Sequence, residues 1–353
     1  MAFLKYENVA IRGISACVPK KVEENKTLPF YAPGEAEQVI ASTGIERRHV
    51  ASDGITASDL CLKAVEKLLE ELGWEKESID LLAFVTQNPD YVNLPNSFVI
   101  HDKLGLSENT ACIDFYHGCP GWVISMSSVV AMVSTGNLQR VLLLDGDTVT
   151  KMQYSNDREE YPLFGDAGTA TALEYDPEAA PMYFNIGTKS EDAVSLIRPF
   201  GGYRNPYTAE TLQRELDMRS GKISDFSSVG KMDGMDVFSF AITKVPKSLK
   251  KICSQYGIEI EEIDNLFLHQ ANKLIIESIA KRVKISSEKA PLSLVNYGNT
   301  VAASIPLTMV TERHETLSTK KQKNLACAFG TGLAWGAMYF ETDKIVVPEV
   351  LFY

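Results

Sequence analysis

Apolar residues at Leu60, Ala64, Leu68 and Leu72, with charged residues between them, trace one face of a helix over Ala57–Leu72. Gly73 follows as its stop. Shorter segments at Val9–Ser15, Ile79–Val85, Val141–Asp145 and Ala170–Tyr175 have the length and residue types of strands. Helix and strand alternate, which predicts an α/β protein with mainly parallel pairing. Asn109–Asp114 reads as a short buried strand, and the apolar, small-residue run Val123–Val133 after it as a helix. Two later stretches share that layout. Leu266–His269 is a strand leading into a helix over Leu274–Val283. The segment from Val295 reads as strand, glycine turn and small-residue helix, with Asn299 at the turn. Ser190–Met232 is irregular apart from a short helical pattern at Thr208–Asp217, and a connection that long is usually functional or mobile.

The pattern also repeats along the chain. Ile79-Asp-Leu-Leu82 recurs as Ile263-Asp-Asn-Leu266, and strand Val141–Asp145 as Leu325–Phe329, at one common spacing. At nearly that spacing, Gly118-Cys119 falls on Gly298-Asn299. Three ordered matches predict two similar halves, 1–178 and 179–353, packed as a pseudo-symmetric pair, with the irregular region of about 190–232 inserted in the second.

Composition narrows the function. At 353 residues, 45% of them hydrophobic, the chain is long enough for a sizeable core. A net charge of −11 argues against general nucleic-acid binding. The chain lacks the run of about 18 apolar residues that would suggest a membrane-spanning helix. It opens directly on a strand pattern without a signal-peptide layout. Cys17, Cys61, Cys112, Cys119, Cys253 and Cys327 are scattered, with no paired spacing, so neither a metal site nor a disulfide framework is expected. A reducing cytoplasm is the simplest setting.

The candidate chemistry centres on Asp114-Phe-Tyr-His-Gly-Cys-Pro-Gly-Trp122, where a strand turns sharply into a helix. A cysteine at a helix N-terminus faces free N–H groups and the positive end of the dipole, which favours its thiolate and so a nucleophile at Cys119. His269 ends a strand, Asn299 stands at a glycine turn, and Ala328–Gly336 is a glycine-rich stretch able to bring a backbone N–H to a substrate carbonyl. Each group also has a plain structural use. Cys119 can be a buried small hydrophobe, His269 a hydrogen-bonded core histidine and Asn299 a helix cap. His117 is a rival base to His269, and Cys112 reads as core.

These stretches resemble the ketoacyl-acyl-carrier-protein (ACP) synthase III family of thiolase-fold condensing enzymes. The motifs are Gly118-Cys119, His269-Gln-Ala-Asn272, Gly298-Asn-Thr-Val-Ala-Ala-Ser304 and Phe329-Gly-Thr-Gly332, with smaller matches at Thr43-Gly-Ile45, Leu163–Gly168 and Gly234–Phe238. The resemblance spans the chain except Ser190–Met232. It implies a thiolase-like fold of two pseudo-symmetric halves in five layers, helix–sheet–helix–sheet–helix, and a homodimer. It implies an acyltransferase that loads an acyl group on Cys119, with the backbone N–H groups of Cys119 and Thr331 as oxyanion donors, then condenses it with malonyl-ACP by decarboxylation, with His269 and Asn299 holding the enolate. Phe329 would wall the site, and Leu94 would close the partner's acyl pocket. Lys273, Lys281 and Arg282 would dock the acyl carrier protein. No cofactor is expected beyond substrates carried on coenzyme A or phosphopantetheine.

Two rivals remain at this stage. A hydroxymethylglutaryl-CoA synthase needs a general-acid Glu where this chain has Gln87, and a non-catalytic partner subunit would usually lack the Cys or His. Transfer to a non-malonyl acceptor, in secondary or surface-polysaccharide metabolism, is a further alternative. The family's adenine clamp, a Trp and an Arg before Thr-Gly-Ile, is absent: Gln38 and Ser42 occupy those positions. The acyl donor is therefore expected to be carrier-bound or non-acetyl, unless Tyr203 and Arg204 of the insertion replace the clamp.

Overall fold

The computed structural model describes residues 2–223 and 231–353. The irregular region Ser190–Met232 is thus described except for 224–230.

Two mixed sheets lie on either side of a buried helical layer. The first runs, in spatial order, Leu351–Phe352, Val9–Val18, Ala167–Tyr175, Arg140–Asp147, Leu81–Thr86 and Ala111–Tyr116. The second runs Ala2–Tyr6, Met182–Thr188, Ala334–Asp343, Lys321–Gly330 and Asn265–Leu268. Strand Leu81–Thr86 lies parallel to both Arg140–Asp147 and Ala111–Tyr116, while Asn265–Leu268 lies parallel to Lys321–Gly330. The inner strands, such as Leu81–Thr86, are apolar on both faces because both faces are covered. Val141 and Leu143 point to the central layer, and Leu142 and Leu144 to the outer helices of the first sheet.

The central layer is built from Gly121–Val133 and Ser304–Thr319, which share one core with both sheets. Gly121–Val133 is apolar around most of its circumference, as a helix covered on several sides must be. Its Trp122 is fully buried, and the indole N–H reaches Thr171 Oγ1 at 3.2 Å. Ala57–Leu72 packs outside the first sheet, with Gly73 ending it in the left-handed region at φ 62°. Gly234–Tyr256 and Lys273–Val283 pack outside the second.

Three expectations need correcting. Ala111–Tyr116 is not buried: it is the outermost strand of its sheet, and Tyr116 is 78% exposed. No strand precedes Asn299. Leu294–Tyr297 is a single helical turn, its Leu294 N–H held by Gln270 Oε1, so this segment is no counterpart of strand Ala111–Tyr116. The boundary at residue 178 does not separate the sheets either. Ala2–Tyr6 pairs with Met182–Thr188 in the second sheet, and Leu351–Phe352 with Val9–Val18 in the first, so the halves exchange edge strands.

Within the insertion, Thr208 caps a helix over Ala209–Arg219, as its pattern predicts. That helix is tied to the loop after Arg140–Asp147 by Tyr154. Tyr154 donates to Glu215 Oε2 at 3.1 Å, and the guanidinium groups of Arg198 and Arg219 lie over its ring.

Candidate active site

Cys119 follows the strand Ala111–Tyr116 and precedes the central helix Gly121–Val133. The connecting turn is tight, with Gly121 N–H donating to Gly118 carbonyl at 2.8 Å. Cys119 is 8% exposed. Opposite it, Gly330 has φ 154°, and a Cβ there would lie 2.9 Å from the sulfur. Only glycine lets that strand end come so close. The approach brings the Thr331 backbone N–H onto the sulfur, joined by the N–H of Cys119 itself. These are the two main-chain donors expected at an oxyanion site.

The thiolate expectation fails. Burial, reinforced by the charge of Asp147, pushes the Cys119 thiol up to about 12, and the two N–H groups only partly offset this. The helix N-terminus is visible in the sequence, and the burial that opposes it is not. The resting group is a neutral thiol.

His269 ends strand Asn265–Leu268 and is 2% exposed. Its Nδ1 lies 2.8 Å from Ser304 Oγ, its main-chain N–H donates to the Cys327 carbonyl, and the ring also hydrogen-bonds the Val301 backbone. Phe329 meets it edge-on, with ring centroids 5.4 Å apart. Burial holds its pKa down to about 3, so the imidazole is neutral near pH 7. Asn299 is fixed by its main chain, whose N–H donates to Leu163 carbonyl at 2.8 Å and whose carbonyl accepts from Gly165 at 3.1 Å. Its Oδ1 accepts from Val301 N–H at 3.0 Å, which leaves the side-chain NH₂ to donate elsewhere.

Val301 joins the three. It packs in one cluster with Cys119, Val149 and Phe164, donates to Asn299 and bonds His269. It does so at φ 54°, a left-handed conformation that a β-branched residue rarely adopts. Strain of this kind concentrates at working sites.

Other expected residues stand elsewhere. Leu94 is exposed on the loop before helix Asn96–Leu104, beside Tyr91, Val92 and Phe98, which are exposed too. Tyr203 is 91% exposed and Arg204 is exposed, and neither is brought to Cys119. Lys273 begins, and Lys281 and Arg282 end, the outer helix Lys273–Val283; Lys281 and Arg282 point to solvent. His117 is half-buried at the nucleophile turn, and burial lowers its pKa. Among the described residues, no three metal-ligating side chains gather.

Sequence reasoning weighed Gln87 only as the absence of an acid, and it missed Asp147. Gln87 places its side-chain carbonyl against Gly118, at the nucleophile turn. Asp147, fully buried, accepts from Thr86 Oγ1 and Gln87 N–H at 3.0 Å each and from Ala302 N–H, joining the first sheet to the Asn299 turn. Burial raises its pKa to about 7. The signal was present as Asp145-Gly-Asp147, two acids closing an apolar strand.

Comparison with known proteins gives a consistent result. Residues 113–190 match the family model described as 3-Oxoacyl-[acyl-carrier-protein (ACP)] synthase III, and residues 253–342 match its C-terminal model. A beta-ketoacyl-[acyl-carrier-protein] synthase III of Clostridium acetobutylicum is 30% identical over 337 residues, covering 96% of this chain and 99% of that protein. One from Sulfurimonas denitrificans is 32% identical, over 93% and 96%. The crystal structure of a 3-oxoacyl-(acyl-carrier protein) synthase from Burkholderia xenovorans LB400 superposes with a TM-score of 0.92 at 33% identity, covering 100% of this chain and 99% of that one.

Proposed function

Because this chain belongs to the 3-oxoacyl-[acyl-carrier-protein] synthase III family, we propose that it is an acyltransferase that condenses an acyl thioester with malonyl-ACP. The reading rests on one observation: a buried thiol, a neutral imidazole and a carboxamide N–H meet around Val301. In acylation the Cys119 sulfur attacks the thioester carbon, the backbone N–H groups of Cys119 and Thr331 hold the oxyanion, and the proton leaves on the departing thiol. In condensation the malonyl carboxylate departs as carbon dioxide. Nε2–H of His269 and the Asn299 amide receive the enolate oxygen. The enolate carbon attacks the acyl-Cys119 carbonyl, a 3-oxoacyl thioester forms, and the sulfur takes up a proton. Ser304 supports this tautomer when it donates to Nδ1, leaving the ring proton on Nε2. Gln87 in place of an acid favours decarboxylation over the rival hydroxymethylglutaryl chemistry. No resident cofactor is needed. The test is intact-protein mass spectrometry: acyl thioesters should add one acyl group, and malonyl-ACP should then remove it as 3-oxoacyl-ACP.

The same reading extends to partners and setting. The exposed edge strand Ala111–Tyr116, flanked by Leu94 and Phe98, suits pairing with a second copy, in which Leu94 would reach the partner's acyl site. A reducing cytoplasm is the setting that six scattered cysteines suit. For the carrier, the helix that ends with Lys281 and Arg282 packs against a second outer helix that bears Lys247 and Lys250. Acyl carrier protein is the acidic partner this face suits. Reversing Lys281 and Arg282 to glutamate should raise KM for malonyl-ACP several-fold and flatten its salt dependence. Unchanged values on both counts would leave these residues as solvated surface.

The donor should be carrier-bound or non-acetyl. Gln38 and Ser42 are exposed on helix Glu35–Thr43 and offer no stacking face. Losing such contacts costs about 1–3 kcal/mol, or ~10- to 100-fold in affinity. Acetyl-CoA should therefore show a lower kcat/KM than longer acyl-ACP by about that factor, and equal values would overturn the donor assignment.

A further inference from the structure

We infer that Arg48 is a positioning residue for the condensing step: it fixes where the Asn299 amide points by clamping the main chain that carries Asn299. The inference rests on the proposed role of Asn299. Arg48 is fully buried, and each of its three guanidinium nitrogens donates a hydrogen bond. Nε donates to Asn25 Oδ1 at 2.9 Å. One Nη donates to the carbonyls of Tyr161 at 2.9 Å and Phe164 at 3.1 Å, and the other to Glu23 Oε2 at 3.1 Å.

Phe164 is the centre of the clamp. It forms a parallel bridge with Asn299: Leu163 carbonyl accepts the Asn299 N–H, and Gly165 N–H donates to the Asn299 carbonyl. Arg48 thus holds the carbonyl that lies between the two contacts fixing Asn299. It also backs the turn from the other side. Gly298 lies so close that a Cβ would sit 2.9 Å from Arg48 Cγ, and its φ of 67° is one that glycine adopts without strain. Phe164 is 9% exposed and packs with Cys119 and Val301, so a shift of this segment is felt where the enolate would form. Lysine cannot replace the arrangement. It is a point charge, whereas four acceptors here are spread around a planar fork.

Cys119 meets the clamp through the Phe164 side chain, but the main chain that carries Cys119 does not pass through it. Cys119 is placed by strand Ala111–Tyr116 and by Gly330. Acylation and condensation should therefore separate. Arg48→Lys should acylate Cys119 within about threefold of the natural protein and lose ~10- to 100-fold in condensation with malonyl-ACP, the scale of a misplaced catalytic group. In the Asn299→Ala background the same change should cost less than about threefold, because a residue acting through Asn299 has nothing left to position. Glu23→Ala, which removes one acceptor and keeps the arginine, should show the same split more weakly, and it carries the test if Arg48→Lys does not fold.

Single-turnover acylation, condensation and melting temperature are measured on the natural protein and the four variants. Equal losses in both steps, or a full-size further loss on top of Asn299→Ala, would overturn the inference and make Arg48 a core residue only. If Asn299→Ala itself condenses normally, the failure belongs to the proposed function instead.

Discussion

Cys119→Ala should form no acyl-enzyme with any acyl thioester and lose condensation altogether, at least ~10⁴-fold, since the step it removes is covalent. Mass spectrometry of the variant after incubation with acyl thioester should show the unmodified chain. The natural protein has a second signature. With the thiol at about 12, alkylation of Cys119 by iodoacetamide should rise about tenfold per pH unit from pH 7 to 10, without a plateau. Fast labelling at neutral pH is therefore not expected. Half-exposed Cys112 competes with it, because access also governs the rate. A plateau near pH 7 would mean the thiolate is stabilised after all, and an acyl adduct on Cys119→Ala would move the nucleophile elsewhere.

Asn299→Ala and His269→Ala should each keep acylation and lose ~10²- to 10³-fold in condensation, the cost of one oxyanion donor in a preorganised site. Burst acylation followed by stalled turnover is the expected kinetic form. The pH dependence carries independent information. His269 has its folded pKa at about 3, below the ordinary value of 6.5, so the folded protein holds it neutral. Its contribution to stability is present above pH 6.5 and is lost as pH falls toward 3, because only the unfolded chain takes up the proton. Condensation should therefore show no His269 inflection between pH 5 and 8. Asp147, at about 7, and Asp166, at about 6, are buried carboxyls near the site that titrate there. An inflection near 6.5 that survives both Asp147→Asn and Asp166→Asn would return the titration to His269 and contradict a neutral donor.

What the sequence made legible was whatever has a local cause. The helix over Ala57–Leu72 and its glycine stop follow from spacing alone, and they stand where the spacing put them. Cys119, His269 and Phe329 were legible because turn glycines and motif residues surround them. The segment before Asn299 misled because Val295-Asn-Tyr has strand-like residue types, while a distant side chain, Gln270, holds it as a helical turn. Exposure of the nucleophile's strand depends on its place in the sheet, which no residue within it encodes. The thiol was misjudged for the same reason: the dipole is local, while burial comes from Gly330 and Val301, both far along the chain. Leu351–Phe352 is two residues long, too short for any period to show.

The exchanged edge strands govern how this protein comes off the ribosome. Ala2–Tyr6 is made early, yet its partner Met182–Thr188 follows only after nearly the whole first sheet has been translated, on the order of ten seconds later at ordinary synthesis rates. The first sheet in turn lacks an edge until Leu351–Phe352 emerges. Neither half can complete itself as a nascent unit, so the N-terminal strand waits unpaired, a template for the wrong neighbour. Refolding in the test tube faces the same long-range closure and should be slow for the chain's size. A cut at residue 178 would not yield two folded domains. It would yield two fragments, each holding one strand the other requires, which should regain structure only when mixed.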